Sequence, residues 1–565
     1  MSGPVSTLPG TNNPKLQSVN YVSILPEGKT SGYKPNQQID YKIDPVQYPY
    51  VDGQQSYLLL NVTPSGSFSN TNATADAPLA FPPNMGANSL VNRLVCRVND
   101  GTGRIIEDRE NYNQYNGIMN AYMHDSDVFP SLAKVEGVTG RNTDEINLTI
   151  NNINNCYFYP QADTETTANV SVSGKSLQQN SFVIPVQLGL FSAFSNQHFA
   201  VPNMDVGGVN LTYHLEKADR CLQLLCHRFF KQETINGVAN CNVEEAVNPL
   251  TKVAVTFDGG SGALFKVDKS VCDCDLEINE EAWTLDNLAW RIGMPIEVNG
   301  NVGIITDIQI VGGQIEVTLG NDVTTPGATE TAGLDSIGSR DYTIDKCELR
   351  CLVTMPDAPT MKQIRRAVMN GINFNSTSLY KVSTASNLKN AVVDIPESLT
   401  RALSIMAVPC QQANLDSVDQ ANSYVYPRPD SIINDNTNDY SYQWLVRQVL
   451  IPNLQVETNK AVDNKNDNAI FFNQQFMAMR PMFDVRSLGD NTFNRLNKNI
   501  DLELPYFFPI LLAPEGSSFD LIDSAPQLRV ENVSATDTSA KLYFVFVNHT
   551  RLLKVDGNGG VMVEM

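Results

Sequence analysis

The chain has 565 residues, 42% of them hydrophobic and 18% charged, enough for about two to four globular domains with substantial cores. Its 61 Asp and Glu against 40 Lys and Arg leave a net charge of -21, with no run of Lys and Arg to mark a basic face. That excludes nucleic acid as the main partner, because a phosphate backbone is bound through cations that displace its counterions; the simpler use of the charge is solubility and an anionic surface.

No segment approaches the roughly 20 apolar residues that span a bilayer. The N-terminal stretch MSGPVSTLPGTNNPKLQ lacks the basic-then-apolar pattern of a signal peptide. The ten Cys are therefore expected to be free thiols in a reducing compartment, and the N-x-[ST] sequons at Asn61, Asn147 and Asn548 to be plain surface chemistry.

Residues 1–35 are polar, carry Pro and Gly and show no periodicity, which reads as an extended N-terminal arm. Strand signals begin at Ile39–Ile43 and Tyr57–Val62. Residues 64–88 read as a Ser/Asn/Pro/Ala-rich loop, Leu90–Val98 as a strand, and residues 108–126 as a long loop or short helix. Ile146–Ile150 and Cys156–Tyr159 are further strand candidates. The most β-like passage is Ser181–Leu215. Its apolar run from Phe182 to Phe191 predicts a strand covered on both sides. After a turn-rich loop, Val209, Leu211, Tyr213 and Leu215 alternate with Asn210, Thr212 and His214, as a half-buried strand requires.

The character then changes. Ile296–Leu319 contains three short β runs joined by Asn299-Gly300 and Gly312-Gly313, both hairpin dipeptides. Its flanks, residues 258–262 and 324–333, are linker-like. The pattern predicts a small β domain, a barrel or sheet, inserted at 226–338. The strand that completes the first domain, Tyr342–Val353, comes only afterwards, so that domain takes in 36–225 and 339–356. A linking helix is predicted at 357–371, with Thr360 as N-cap, Gln363 at N3 and Gly371 as the stop. The second domain, 372–555, has strand candidates at Leu379–Ser383, Ala391–Ile395, Ala402–Val408 and Tyr442–Leu450. Polar loops follow at 430–439 and 458–468. Its C-terminal group, 504–547, repeats the order of element types found in 181–215, which points to two domains of one kind. Residues 556–565 read as a C-terminal tail.

Little of this supports chemistry. Glu27-Gly28-Lys29-Thr30 looks like the end of a phosphate loop, but Ser23 stands where the leading Gly belongs and no strand-loop-helix surrounds it. Gly260-Ser261-Gly262 starts a dinucleotide fingerprint that Phe265 breaks. Cys221, Cys226, His227, Cys241, Cys272 and Cys274 form the densest set of potential metal ligands. Their spacing is not that of paired zinc ligands, and Cys behaves as a small hydrophobe on a packed strand. Of the five His (His124, His198, His214, His227 and His549), His214 and His549 lie in strands and read as surface or packing residues. There is no G-x-S-x-G or H-E-x-x-H, and only Trp283, Trp290 and Trp444 to build a sugar-binding face. The expectation is no catalytic residue, no metal site and no cofactor.

The arrangement resembles that of double-jelly-roll major capsid proteins, of the virophage and Polinton-like virus branch. The likeness lies in the loop before Gly207-Gly208-Val209-Asn210-Leu211, in Tyr342 to Leu349, in Tyr442-Gln443-Trp444 with Leu450-Ile451-Pro452, and in Leu542–Val547 through Arg551. It covers about residues 36 to 555. The resemblance implies an all-β fold of two tandem eight-stranded antiparallel jelly rolls with a small β insertion and a short linking helix. It implies a homotrimer whose six rolls form a pseudo-hexagonal capsomer tiling an icosahedral shell. Partners would be neighbouring capsomers and minor capsid and penton proteins, and the location the virion, after synthesis in the host cytoplasm or nucleus. The insertion would stand on the outer tower, with the arm and tail reaching neighbours. A jelly-roll adhesin or carbohydrate-binding protein is the alternative, predicting a signal peptide, disulfides and sugar sites; a β-sandwich enzyme is the third class.

Overall fold

A computed structural model describes residues 16–68, 79–81, 85–99, 101–123, 135–137, 157–158, 181–193, 201–224, 229–235, 238–245, 253–268, 294–311, 314–335, 337–384, 390–395, 399–411, 440–457, 474, 477–478, 507–513, 517–522, 525–532, 541–556 and 560–564. The first part of the chain forms β1 (Leu16–Ile24), β2 (Gln38–Ile43), β3 (Tyr50–Phe68), a short β4 (Leu79–Ala80), β5 (Val91–Val98) and β6 (Ile105–Glu110). Helix α1 (Tyr112–Met123) follows, then a short β7 (Tyr157–Phe158), β8 (Ser181–Pro185), α2 (Gly189–Ala193) and β9 (Val209–Leu215). After α3 (Ala218–Cys221) and β10 (Gln223–Leu224) comes a hairpin of β11 (Phe229–Ile235) and β12 (Val238–Glu245).

Six strands then close into a barrel: β13 (Val253–Phe257), β14 (Leu264–Asp268), β15 (Pro295–Val298), β16 (Asn301–Val311), β17 (Gln314–Leu319) and β18 (Thr329–Leu334). The turn at Asn299-Gly300 has φ of 49° and 84°, the left-handed pair that a two-residue hairpin demands. Gly312-Gly313 lies outside the described residues. The long β19 (Ile337–Pro356) returns to the first domain, and α4 (Ala358–Asn370) leads out of it. The second domain comprises β20 (Ile372–Ser383), β21 (Asn390–Asp394), β22 (Ala402–Gln411), β23 (Tyr440–Val446), β24 (Val449–Glu457), β25 (Phe508–Leu511), β26 (Gln527–Asn532) and β27 (Lys541–Val555), with β28 (Val561–Glu564) beside β27.

Strand order identifies both domains. The first has sheets β1-β19-β3-β8 and β2-β9-β5-β6; the second has β20-β27-β22-β25 and β21-β26-β23-β24. Leaving out the insertion and the short three-stranded sheet β10-β4-β7, and counting the remaining eight strands of each domain along the chain, both read first-eighth-third-sixth over second-seventh-fourth-fifth. That is the jelly-roll arrangement, two antiparallel four-stranded sheets face to face. The fold is therefore all-β, two tandem jelly rolls with a β insertion before the eighth strand of the first roll and a short linking helix.

Two cores result. Ile39, Tyr41, Leu58, Leu94, Tyr213 and Leu349 fill the first roll, and that core runs without a break into the barrel through Phe265, Ile296 and Val317. Val393, Ile405, Trp444, Leu528 and Val545 fill the second. Strand β27 reads as continuous apolar sequence because both its faces are covered: Tyr543 through His549 are all buried.

Several expectations need correction. Residues 16–24, expected within an arm, are an edge strand paired with β19. The strand at 57–62 runs on to Phe68, inside the expected loop. The run Phe182–Phe191 is not one strand: it ends at Pro185 and turns into α2 at Gly189. At Gly189 the chain lies against the second roll, where a Cβ would be 1.6 Å from the carbonyl oxygen of Asn375, so only glycine fits there. Tyr442–Leu450 is a hairpin, β23 and β24, turning at Arg447 and Gln448, both with positive φ. Helix α4 is capped by Asp357, whose side chain accepts from the Thr360 amide, so Thr360 is the buried third residue of the first turn and not the cap. Residues 561–564, expected in a free tail, pair with β27. The candidates at 146–150, 430–439 and 458–468 lie outside the described residues.

Candidate functional site: the seam between the rolls

Where the two rolls meet, the structure places buried charge. Alternation along β6 sends Ile106 into the first core and Glu107 and Arg109 into the joint, with Glu107 fully buried and Arg109 only 5% exposed. The Glu107 carboxylate accepts from Arg109 Nη2 at 3.0 Å and from the backbone N–H of Leu190 at 3.2 Å. A third donor, Ser376 Oγ at 3.2 Å, comes from β20 of the second roll. Arg109 in turn donates to the Gln187 carbonyl at 2.5 Å and lies over the Tyr115 ring, 4.8 Å from its centre. An uncompensated charge in this position would cost several kcal/mol, which the three donors to Glu107 offset.

The second roll adds its own contacts. Arg551 donates to the carbonyl of Ile106 at 2.9 Å, and the Phe546 ring packs 5.5 Å from Tyr115. Thr377 donates to Asn548, which donates to Ser404, tying β20, β27 and β22 across this surface at 3.0 and 2.9 Å. The buried face of β27 also changes allegiance here: Val545 and Val547 belong to the second core, Leu553 and Val555 to the first. His549 stands at that crossover.

His549 is fully buried, with Nε2 3.0 Å from Ser378 Oγ. Burial, then the cations Arg551 and Arg109, push its pKa down from 6.5 to about 3. It stays neutral at ordinary pH, and a substrate has no approach to a ring that is 0% exposed, so the Ser-His pair packs and does not react. The reading of His549 as a packing residue holds.

Two further fastenings cross the joint. Asp205 of the first roll accepts from Tyr50 Oη at 3.2 Å and from Arg365 Nε of α4 at 3.0 Å, while Ile364 and Val368 of the same helix join the first core. The C-terminal strand places Val561 in the first core, where Arg104 of the β5–β6 turn donates to its carbonyl. The chain is thus one block of two welded rolls.

The residues singled out for chemistry are not assembled. Lys29 donates to the Gly32 carbonyl and to Gln37 and covers the Tyr33 ring; it tethers a turn. Gly260-Ser261-Gly262 is the β13–β14 turn. Cys221 is buried at the end of α3, and burial holds its thiol well above the ordinary range. Cys226, His227, Cys272 and Cys274 lie outside the described residues, as do Trp283 and Trp290, and of Cys241 only the strand is described. Among the described residues no group of three His, Cys, Asp or Glu could hold a metal ion, and no helix is long and apolar enough to cross a membrane.

No protein-family model and no curated protein sequence matches the chain. Solved structures do. The Faustovirus major capsid protein is 8% identical over 96% of this chain and 92% of its own, with a TM-score of 0.49. The PBCV-1 virus capsid is 8% identical over 98% of each chain at 0.43, and the mavirus major capsid protein 9% identical over 100% of this chain and 95% of its own at 0.36. At these identities and scores, the argument for the fold rests on the strand order itself.

Proposed function

We propose that the chain is a major capsid protein, three copies of which associate so that six jelly rolls form a pseudo-hexagonal capsomer tiling an icosahedral shell. The observation that carries this reading is the welded pair: two rolls of one strand order, joined by a buried seam of Glu107, Arg109, Ser376 and Arg551, make a rigid building block. A jelly roll keeps its cores inside and its connections at the ends, so its sides are free to pack and its ends to carry decoration.

The placement of the insertion supports the same use. Strand β19 runs from the barrel at its start to the linking helix at its end. Twenty residues of strand span roughly 60 Å, so the barrel stands at one end of the first roll and the helix at the other. In a shell of upright rolls this puts the barrel on the outer tower. Neighbouring capsomers and minor capsid and penton proteins are the partners of this reading, and the virion the location. Light scattering on the purified chain tests it: the expected mass is three times 62.2 kDa. A strict monomer across salt and pH overturns the trimer, and cryo-EM of particles with the barrel facing the lumen overturns its placement.

A further inference from the structure

The seam within one chain suggests how one chain meets the next. By sheet order, β1 and β20 are the same strand of their respective rolls, the first, and β6 and β24 are likewise the fifth. Inside the chain, β20 with its neighbour β27 packs on β6: Ile372, Phe374 and Ser376 of β20 are buried, as are Glu107 and Arg109 of β6, and Ser376 bonds to Glu107. Their counterparts, β1 and β24, are both edge strands, each paired on one side only.

Both carry unpartnered apolar surface. On β1 the register sets Leu16, Val19 and Tyr21 opposite Pro356, Thr354 and Leu352, so all three share the face turned away from the core. They are 47%, 48% and 67% exposed. On β24, Val449 is 56% exposed. Further on, Trp444 pairs with Ile451 and Tyr442 with Val456, so the residues between form a bulge that leaves Leu454 82% exposed. Gln443 fixes this bulge by donating to the carbonyls of Pro452 and Asn453 at 2.8 and 3.1 Å. A leucine held out on a clamped bulge loses little entropy on docking, which suits it to anchor a contact.

We infer that the β24 edge of one copy seats on the outer face of β1 of a second copy, repeating between chains the joint that β6 and β20 make within one. The two surfaces lie on different rolls of the same chain. The association is therefore head-to-tail, and such contacts either close into a ring or grow as a filament. The inference rests on the capsomer reading for the size of that ring, three copies. It adds which surfaces meet.

Charge placed on residues already exposed breaks such a contact without touching the fold. The double variant Val19→Asp/Tyr21→Asp spoils the β1 face, Leu454→Asp the β24 bulge, and Val46→Asp, on a turn residue 87% exposed, serves as control. Light scattering on each full-length protein reads the outcome, with unchanged circular dichroism melts confirming folding. The expected result is a trimer for wild type and control, and a drop to one-third of that mass for either variant alone. An equimolar mixture of the two variants is expected to give a two-chain species, because one sound β1 face and one sound β24 edge remain between them. A folded variant that keeps the trimer mass, or a mixture that stays monomeric, overturns the inference and leaves the capsomer reading standing. A monomeric wild type overturns both.

Discussion

Ser376 of the second roll donates its hydroxyl to the buried carboxylate of Glu107 in the first, at 3.2 Å. Through this bond a charge that one roll cannot satisfy alone is completed by the other. Replacing Glu107 with Ala leaves Arg109 buried without its anion, and a loss of about 3–5 kcal/mol in chemical denaturation is expected. Ser376→Ala removes one of three donors and should cost about 1 kcal/mol. A double-mutant cycle on the pair should give a coupling above roughly 0.5 kcal/mol; strict additivity would show that the two rolls do not share this charge.

His549 makes the joint sensitive to acid. In the folded chain it titrates near 3 and not at 6.5, so between those values the unfolded chain takes up a proton that the folded chain refuses. Its contribution is complete above about 6.5 and drains away as the pH falls towards 3. The shift corresponds to as much as about 5 kcal/mol. Denaturation midpoints measured from pH 7 down to pH 4 should fall more steeply for wild type than for His549→Gln. Parallel slopes would place the acid sensitivity elsewhere.

Gly189 is where the rolls come closest. A methyl there meets the Asn375 carbonyl at 1.6 Å, backbone against side chain, and nothing flexible can give way. Gly189→Ala is expected to destabilise by about 2 kcal/mol or more through a shift of α2 against β20. Limited proteolysis should then cut between the rolls sooner than in wild type. A variant with unchanged melting would mean that the approach is looser than this.

The last strand is a strap across the joint. Val561→Asp puts a charge into the first core, where Val561 is 2% exposed, and deleting residues 560–565 removes the strand altogether. Both are expected to lower stability by about 2–4 kcal/mol. Arg104→Ala, which loses only the bond to the Val561 carbonyl, should cost about 1 kcal/mol or less. If the deletion melts as wild type does, the strand is an ornament.

The strands most legible in the sequence were those with one face in a core. Val209–Leu215 alternates because a single roll decides it, and the Asn299-Gly300 turn could be read because its dipeptide carries its own backbone preference. What stayed hidden was set by contacts far along the chain. The apolar run after Phe182 leaves its strand at Pro185 and passes at Gly189 against Asn375 of the second roll, and β24 begins after Arg447 and Gln448, residues that do not advertise a turn. β1 is hard to read because only Val22 and Ile24 at its end meet the first core, while Leu16, Val19 and Tyr21 are exposed. Arg109 falls in the stretch 108–126, expected as a long loop or short helix, and nothing in the sequence marks Glu107; both lie on β6. Only the meeting of the rolls makes them the joint.

The position of the barrel bears on how the chain is made. β19 lies between β1 and β3 in the middle of its sheet, yet it follows β9 by about 120 residues, the barrel among them. On the ribosome, at about 5–20 residues per second, the sheet of β2, β9, β5 and β6 is complete for roughly 6–24 s before the strand that fills the other one emerges. Throughout that interval β3 offers an open edge to any passing strand. The nascent first roll is therefore a stage at which this protein is exposed to mispairing, and the barrel, whose closing strand β18 ends only two residues before β19 begins, is completed just as that wait ends.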